Sequence, residues 1–404
     1  MDENSVIVVG TVSDDPFAID VAHFFNQYAE IADLISLKSF ANSEFCPRFI
    51  SDEEDMSNIG RQLAGKTVVM VSTCCGGHTR NALAMRCMLV ARAAKDNGAA
   101  RVILVQPDLF YSAQDRGPRV EHGRPEFERS QKDFKKFDGQ PFSARLYADL
   151  LKLSGVDEVV TVHNHSVSVN RLFSEVFNGR YFNLCPSEIF ANYLMKGGFG
   201  LVGNSPHGLA LCAPDGGAVN FVEHVFESVK DVSEGMLLPP SVDLLFMHKE
   251  RSGERQVEIC PRKDSPLQAS ELAGRDVVVF DDMVRTGYTI VECCRRLKEA
   301  GAAKVVFVVT HFYSSDEVKE NLNTPFIDEI VTTNTLPPIL NRDKQGRLRK
   351  KMLVLKIEKW IANFISEQYR EGRSLPHKTL YAVDISSKNP RAREKEELER
   401  ELAS

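Results

Sequence analysis

Eight short runs of aliphatic and β-branched residues recur along the chain, and they constrain its fold more than any other feature. They are VIVVG at 6–10, TVVMVST at 67–73, RVILVQP at 101–107, EVVTVHNH at 158–165, GLALCAP at 208–214, DLLFMHK at 243–249, DVVVFDD at 276–282 and KVVFVVTH at 304–311. Runs so uniformly apolar suit strands covered on both faces, as in a parallel sheet, rather than half-exposed strands with alternating polarity. Between them lie amphipathic stretches. In PFSARLYADLLKLSG at 141–155 the apolar stripe is continued by Leu151, Leu153 and Val156. In TIVECCRRLKEAGA at 289–302, Gly301 is placed to end a helix as its C-cap. Strand–helix alternation sustained over most of a chain predicts an α/β protein with parallel sheets flanked by helices.

Residues 66–105 and 275–309 follow one plan of strand, Gly-containing turn, helix, Gly and strand, down to NGAARV against AGAAKV. A duplicated αβ domain with its join near 175–205 explains this; chance likeness of two βαβ units is the alternative. The length of 404 residues suits two or three domains, each with its own core. Two segments break the alternation. Residues 115–140 are polar and rich in Gly, Pro and charge, which predicts a long surface loop, and the mixed-charge tail 388–404 reads as a solvated helix or frayed end. Neither is assigned any chemistry.

Fifty Lys and Arg against 56 Asp and Glu give a net charge of −6, which argues against nucleic acid as a partner. No apolar run approaches the roughly 18–20 residues needed to span a bilayer, so no membrane partner is expected. The start MDENSVIVVG lacks the basic and long apolar regions of a signal peptide. Nine cysteines, at 46, 74, 75, 87, 185, 212, 260, 293 and 294, form no CxxC zinc pattern and lie mostly in apolar runs. They read as reduced, core-filling thiols of a cytoplasmic protein.

The segment that carries chemistry is VVVFDDMVRTGYTI at 277–290. A hydrophobic strand ends in two acidic residues, and a turn containing Thr286, Gly287 and Thr289 opens a helix. Backbone N–H groups at such a helix start bind phosphate, helped by the dipole and the hydroxyls. Asp281 and Asp282, at the strand's carboxyl edge, accept hydrogen bonds from vicinal hydroxyls. Side by side, the two describe a pocket for ribose 5-phosphate; an acidic strand end followed by an N-cap Thr is the plain alternative.

This segment resembles the phosphoribosyl-binding loop of type I phosphoribosyltransferases and of ribose-phosphate diphosphokinases, the PRPP synthetases. Further segments resemble the synthetases in order over nearly the whole chain. LKSFANSEFCPRF at 37–49 reads on its own as an aromatic beside polar residues in a turn. The resemblance implies that Phe40 stacks on adenine while Asn42 and Glu44 hydrogen-bond it, supplied from a neighbouring subunit. FYSAQDR at 110–116 is similar to the segment around the nucleotide phosphates, with Gln114, Asp115 and Arg116 matching and Ala113 standing where an Arg is usual. In VTVHNHSVS at 160–168, a bare HxH suits a zinc pair or satisfied core histidines, and no third zinc ligand is evident nearby. By resemblance His165 falls on the metal-linked His, beside Mg²⁺ bridging ATP oxygens, while His163 replaces an Asp. CAPDGGAVN at 212–220 is an ordinary turn in isolation; the resemblance makes it the diphosphate loop, with Gly216 and Gly217 admitting oxygens to the backbone and Asp215 holding a second Mg²⁺ with the sugar. FMHKERSGERQVEI at 246–259 begins at a strand end and reads as a solvated charge run, yet Lys249 and Arg251 match the Lys-x-Arg pair of the synthetases' catalytic loop. VTTNTLPP at 331–338 and an amphipathic stretch from Leu353 to Ile365 resemble the family's C-terminal strand and helix.

Three departures stand out. Arg285 replaces an acidic residue in the ribose loop, Tyr288 replaces a small one, and the 115–140 stretch exceeds the family norm. The resemblance implies two tandem phosphoribosyltransferase-like domains: 1–180 on the ATP side and 181–335 on the ribose 5-phosphate side. A segment 336–404 then packs back on the first. It further implies diphosphoryl transfer from ATP to ribose 5-phosphate with Mg²⁺, in a cytoplasmic homo-oligomer built from dimers, up to a hexamer. A non-catalytic regulatory paralogue and a phosphoribosyltransferase consuming PRPP remain the alternatives.

Overall fold

The runs of β-branched residues become strands of two sheets, seen in a computed structural model that describes residues 6–51, 54–123, 128–196, 207–234, 241–251, 257–369 and 380–384. Among these residues the chain divides into two compact units. The first takes 1–184, 335–337 and 357–380; the second takes 185–334, 338–356 and 381–404.

The first unit contains, in chain order, β1 (Val6–Gly10), α1 (Pro16–Phe24), α2 (Ile31–Leu34), β2 (Ile35–Ser39), β3 (Phe45–Phe49), β4 (Thr67–Val71), α3 (Arg80–Asp96), β5 (Arg101–Val105), α4 (Gln131–Lys136), α5 (Ser143–Leu153), β6 (Glu158–Val162), α6 (Val167–Val176) and β7 (Tyr181–Leu184). Its sheet, in the order β1-β4-β5-β6-β7, is parallel throughout. Val8, Val69, Ile103 and Val159 are wholly buried, as two-sided coverage by helices demands. The hairpin β2–β3 stands apart as an antiparallel ribbon.

The second unit follows with α7 (Ser187–Lys196), β8 (Leu209–Ala213), α8 (Val219–Ser233), β9 (Val242–Arg251), β10 (Val257–Pro261), β11 (Asp276–Val284), α9 (Tyr288–Glu299), β12 (Lys304–Phe312), α10 (Asp316–Leu322), β13 (Glu329–Thr333) and β14 (Met352–Lys356). α11 (Glu358–Tyr369) then returns to the first unit, where it packs on α1, and β15 (Ala382–Val383) closes the second sheet. That sheet runs β10-β9-β8-β11-β12-β13-β14-β15. Six inner strands are parallel, and β10 and β15 add an antiparallel strand at either edge. Cys212, Cys293, Cys294, Leu297, Val279 and Phe307 share its core.

The two echoing segments are both strand–helix–strand units, β4–α3–β5 and β11–α9–β12, each with parallel strands. Gly301, at φ +91°, follows the end of α9 and its C-cap Ala300. Other expectations need correction. Leu153 is 77 % exposed although Leu151 and Val156 are buried, because a residue two positions along a helix faces the opposite way. The stretch from Leu353 is a strand first and a helix only from Glu358. Residues 338–356 stay with the second unit, so of the C-terminal segment 336–337 and 357–380 join the first. β11 runs on past its two carboxylates to Val284, and β9 continues to Arg251, pairing with β10 from Met247 to Arg251. Cys46 and Cys185 are exposed, whereas Cys75, Cys87, Cys212, Cys293 and Cys294 fill cores as free thiols. The 115–140 stretch holds α4 and a packed set of charges, not a bare loop. The tail 388–404 lies outside the described residues.

Candidate active site

In the second unit, strand register gathers three of the predicted segments at one edge. Cys212 of β8 pairs with Leu245 of β9 on one side and with Val279 of β11 on the other. Asp215 follows three residues after Cys212, Asp281 two after Val279 and Lys249 four after Leu245. Asp215 lies just beyond the end of β8, and Asp281 and Lys249 lie in the C-terminal parts of β11 and β9, so all three come toward the carboxyl side of adjacent parallel strands, where ligands of open α/β sheets bind. Backbone alone is described for Lys249 and Arg251; their side chains lie outside the described residues.

The carboxylates at this edge sense one another. Burial, the adjacent Asp282 and the charge of Asp215, in that order, push the Asp281 carboxyl well above the usual carboxylate range. The Asp282 and Met283 amides bond the preceding carboxylates at 2.9 and 2.8 Å, fixing the pair's orientation. Such mutual repulsion is relieved by a cation, so the donor set suits Mg²⁺. Among the described residues no three His, Cys, Asp or Glu side chains form a protein-only metal cage. Oxygen-rich Mg²⁺ sites commonly take most of their ligands from substrate phosphates and water.

Beyond β11, Arg285 and Thr286 form an exposed bend and Gly287 caps α9 at φ +83°. That left-handed conformation favours glycine, and a Cβ there would press on Leu322 at 3.2 Å. Asn321 pins the bend by donating to the Thr286 carbonyl at 2.8 Å. Sequence reasoning missed Asn321, since nothing in its spacing links α10 to the turn. Gly287 has no side chain to cap the first amides of α9, and the half-buried Thr289 stands in the first turn. Tyr288 is 63 % exposed. In the loop before α8, Asp215 accepts the Gly217 amide at 2.9 Å. Neither Gly216 nor Gly217 has a positive φ, and a Cβ on Gly216 would meet nothing within 4 Å; the glycines leave the loop surface open rather than meet a backbone demand.

In the first unit, Phe40 sits at the turn of the β2–β3 hairpin and is 49 % exposed. Its amide bonds the Glu44 carbonyl at 2.8 Å, and Asn42 Oδ1 accepts the Glu44 amide at 3.1 Å. Elsewhere the structure joins two predicted segments. Asp115 accepts a hydrogen bond at 2.8 Å from Ser166 Oγ, beside the exposed His165 in the loop after β6. His163, in the same loop, has φ +45°. Gln114 is exposed, and Arg116 is engaged by Asp115 at 3.5 Å and by Asp133 at 3.1 Å.

Two parallel sheets, with a carboxylate pair at a strand edge and an open helix start beyond it, define a protein of the type I phosphoribosyltransferase-like class. Two family models match the chain: the N-terminal domain of ribose phosphate pyrophosphokinase over residues 26–123, and the phosphoribosyl synthetase-associated domain over residues 218–373. It is similar to ribose-phosphate pyrophosphokinase of Corynebacterium efficiens, with 29 % identity over 340 residues covering 84 % of this chain and 86 % of that one. Ribose-phosphate pyrophosphokinase 2 of Saccharomyces cerevisiae is 26 % identical over 294 residues, 72 % of this chain and 78 % of that one. The crystal structure of phosphoribosylpyrophosphate synthetase from Mycobacterium smegmatis shares the fold, with a TM-score of 0.66 at 24 % identity over 91 % of this chain and all of that one. The chain belongs to the ribose-phosphate pyrophosphokinase family.

Proposed function

We propose that this chain catalyses ATP + D-ribose 5-phosphate → AMP + 5-phospho-α-D-ribose 1-diphosphate. The observation that carries the reading is the meeting of Asp215, Asp281, Asp282 and the start of α9 at one strand edge, in a chain of this family. The sugar's 5-phosphate sits on the first amides of α9 with Thr286, Gly287 and Thr289, and Arg285 adds a cation at the rim. Asp281 and Asp282 accept hydrogen bonds from the ring hydroxyls. The anomeric oxygen attacks the β-phosphorus in line. The new O–Pβ bond forms as the bond from Pβ to the α,β-bridging oxygen breaks; that oxygen leaves with AMP, and the hydroxyl proton passes to solvent. Lys249 and Arg251 neutralise charge developing on the transferred and bridging oxygens. Asp215, Gly216 and Gly217 face the diphosphate. Phe40, Asn42 and Glu44 take the adenine; Gln114, Asp115 and Arg116 take the nucleotide phosphates. His165 and Asp215 would be the protein groups offered to Mg²⁺, which would supply charge neutralisation on the polyphosphate. No covalent enzyme intermediate is needed, since positioning and electrostatics suffice.

The same reading makes the enzyme a cytoplasmic, dimer-based homo-oligomer, with the Phe40 hairpin reaching a neighbouring subunit. Among the described residues no helix is long and apolar enough to cross a membrane. The test is AMP release from ATP with ribose 5-phosphate and Mg²⁺. Wild type should form AMP only with the sugar present, and Lys249→Ala should lower kcat by about 10²-fold or more. ATP binding without AMP formation would overturn the reading in favour of a regulatory paralogue.

A further inference from the structure

The stretch to which the sequence assigns no chemistry builds a tight charge assembly against a residue of the proposed nucleotide site. Asp133 of α4 stands between two guanidinium groups, with Oδ1 3.1 Å from Arg116 Nη1 and Oδ2 2.5 Å from Arg129 Nε. The Arg129 side chain is only 4 % exposed and donates from Nη1 to the carbonyls of His122 at 2.8 Å and Arg119 at 3.2 Å. The stretch's own backbone therefore fixes it. Phe137 packs against both cations, its ring centroid 4.6 Å from the Arg116 guanidinium and 5.6 Å from that of Arg129. Gly123, at φ +84°, brings the same stretch so close to Asp115 that a Cβ would collide with the Asp115 carbonyl oxygen.

The order of these contacts matters. A buried cation of its own already compensates Asp133, so its bond to Arg116 orients that side chain more than it quenches it. Held at one end by Asp133 and at one face by Phe137, Arg116 has already given up the rotamer freedom that a long side chain otherwise loses on gripping phosphate. We propose that α4 and the turn after it form a positioning module for the nucleotide, in which Asp133 and Phe137 hold Arg116 in the orientation that meets the polyphosphate of ATP. This rests on the reading of Arg116 as a phosphate-contacting residue given above. Asp133 and Phe137 are positioning residues and touch no substrate.

Steady-state kinetics of the full chain with ATP and ribose 5-phosphate test it. Asp133→Asn and Phe137→Leu should each raise KM for ATP by about five- to tenfold, with kcat and KM for ribose 5-phosphate within about twofold of wild type. Both effects should vanish in an Arg116→Lys background, which keeps the charge but loses the fork and the stack. Phe137→Leu keeps apolar volume, so a failure of Asp133→Asn to fold does not end the test. Arg116→Ala separates the two levels. An unmoved KM for ATP in that variant sinks the nucleotide role of Arg116 itself. A raised value there, with Asp133→Asn and Phe137→Leu unchanged, overturns the positioning module alone. A fall in KM for ATP on Asp133→Asn also overturns it, because Asp133 would then compete with the nucleotide. So would a common rise in both Michaelis constants, the mark of general disruption.

Discussion

Asp281 concentrates the physical conflict of the proposed sugar site. Burial and two neighbouring carboxylates raise its pKa in the fold, so it loses its proton there at a higher pH than in the unfolded chain. The protonated group thus contributes stability that is fully present below the unfolded carboxylate value, about 3.9, and is lost as pH rises through the raised folded value. Asp281→Asn, neutral at every pH, escapes that loss. Its melting temperature without ligands should exceed the wild type's by a few degrees at neutral pH (roughly 2–4 °C per kcal/mol), with the gap narrowing as pH falls toward about 4. Thermal denaturation at stepped pH measures this; a gap that does not change with pH would deny that a buried charge is involved. The paired aspartates are legible in the sequence because a carboxylate pair at the end of an apolar run has few other uses. Asp133 is not, because its partners Arg116 and Arg129 sit in a stretch without periodicity, where composition does not say which charges meet.

At the scale of elements, the uninterrupted apolar runs reveal themselves, while strands of other kinds do not. β1 coincides with VIVVG because both faces are covered. β2 and β3 form a two-stranded ribbon whose residues are mostly half-exposed or exposed, and no apolar run marks them. β14 is hidden because only Ile357 separates it from α11, so strand and helix read as one amphipathic stretch. The β2–β3 ribbon is held by its backbone ladder and by Arg86, whose guanidinium lies 4.0 Å from the Phe45 ring centroid. Phe40 at its tip bears little of that load. Phe40→Ala should therefore leave the melting temperature within about 1 °C of wild type while raising KM for ATP about tenfold, the worth of one stacked base. Melting curves and ATP titrations of the same preparation check both halves. A large loss of stability would instead make Phe40 a packing residue.

At the scale of the whole molecule, the internal echo of two βαβ units foreshadows two sheets, but not the way the chain's later part is shared between them. Periodicity carries no information on which surface a helix finally covers. α11 buries Ile361, Ala362 and Ile365 in the first unit. Ile361→Ala should cost about 2–5 kcal/mol, the usual range for a fully buried isoleucine. Chemical denaturation would show the loss, and limited proteolysis would find new cleavage in α1 and its neighbours. An unchanged first unit would contradict the packing of α11 on α1.

The return of α11 also sets a timetable. The rest of the first unit's sheet is complete once Leu184 has left the ribosome, yet the helix that covers α1 is encoded some 170 residues later. At a synthesis rate of about 5–20 residues per second, the face of α1 waits roughly ten to thirty seconds for its partner. During that interval the nascent chain presents apolar surface that the finished protein hides. A ribosome stalled just before residue 358 would hold it in that exposed state, which is when a chaperone has the most reason to bind.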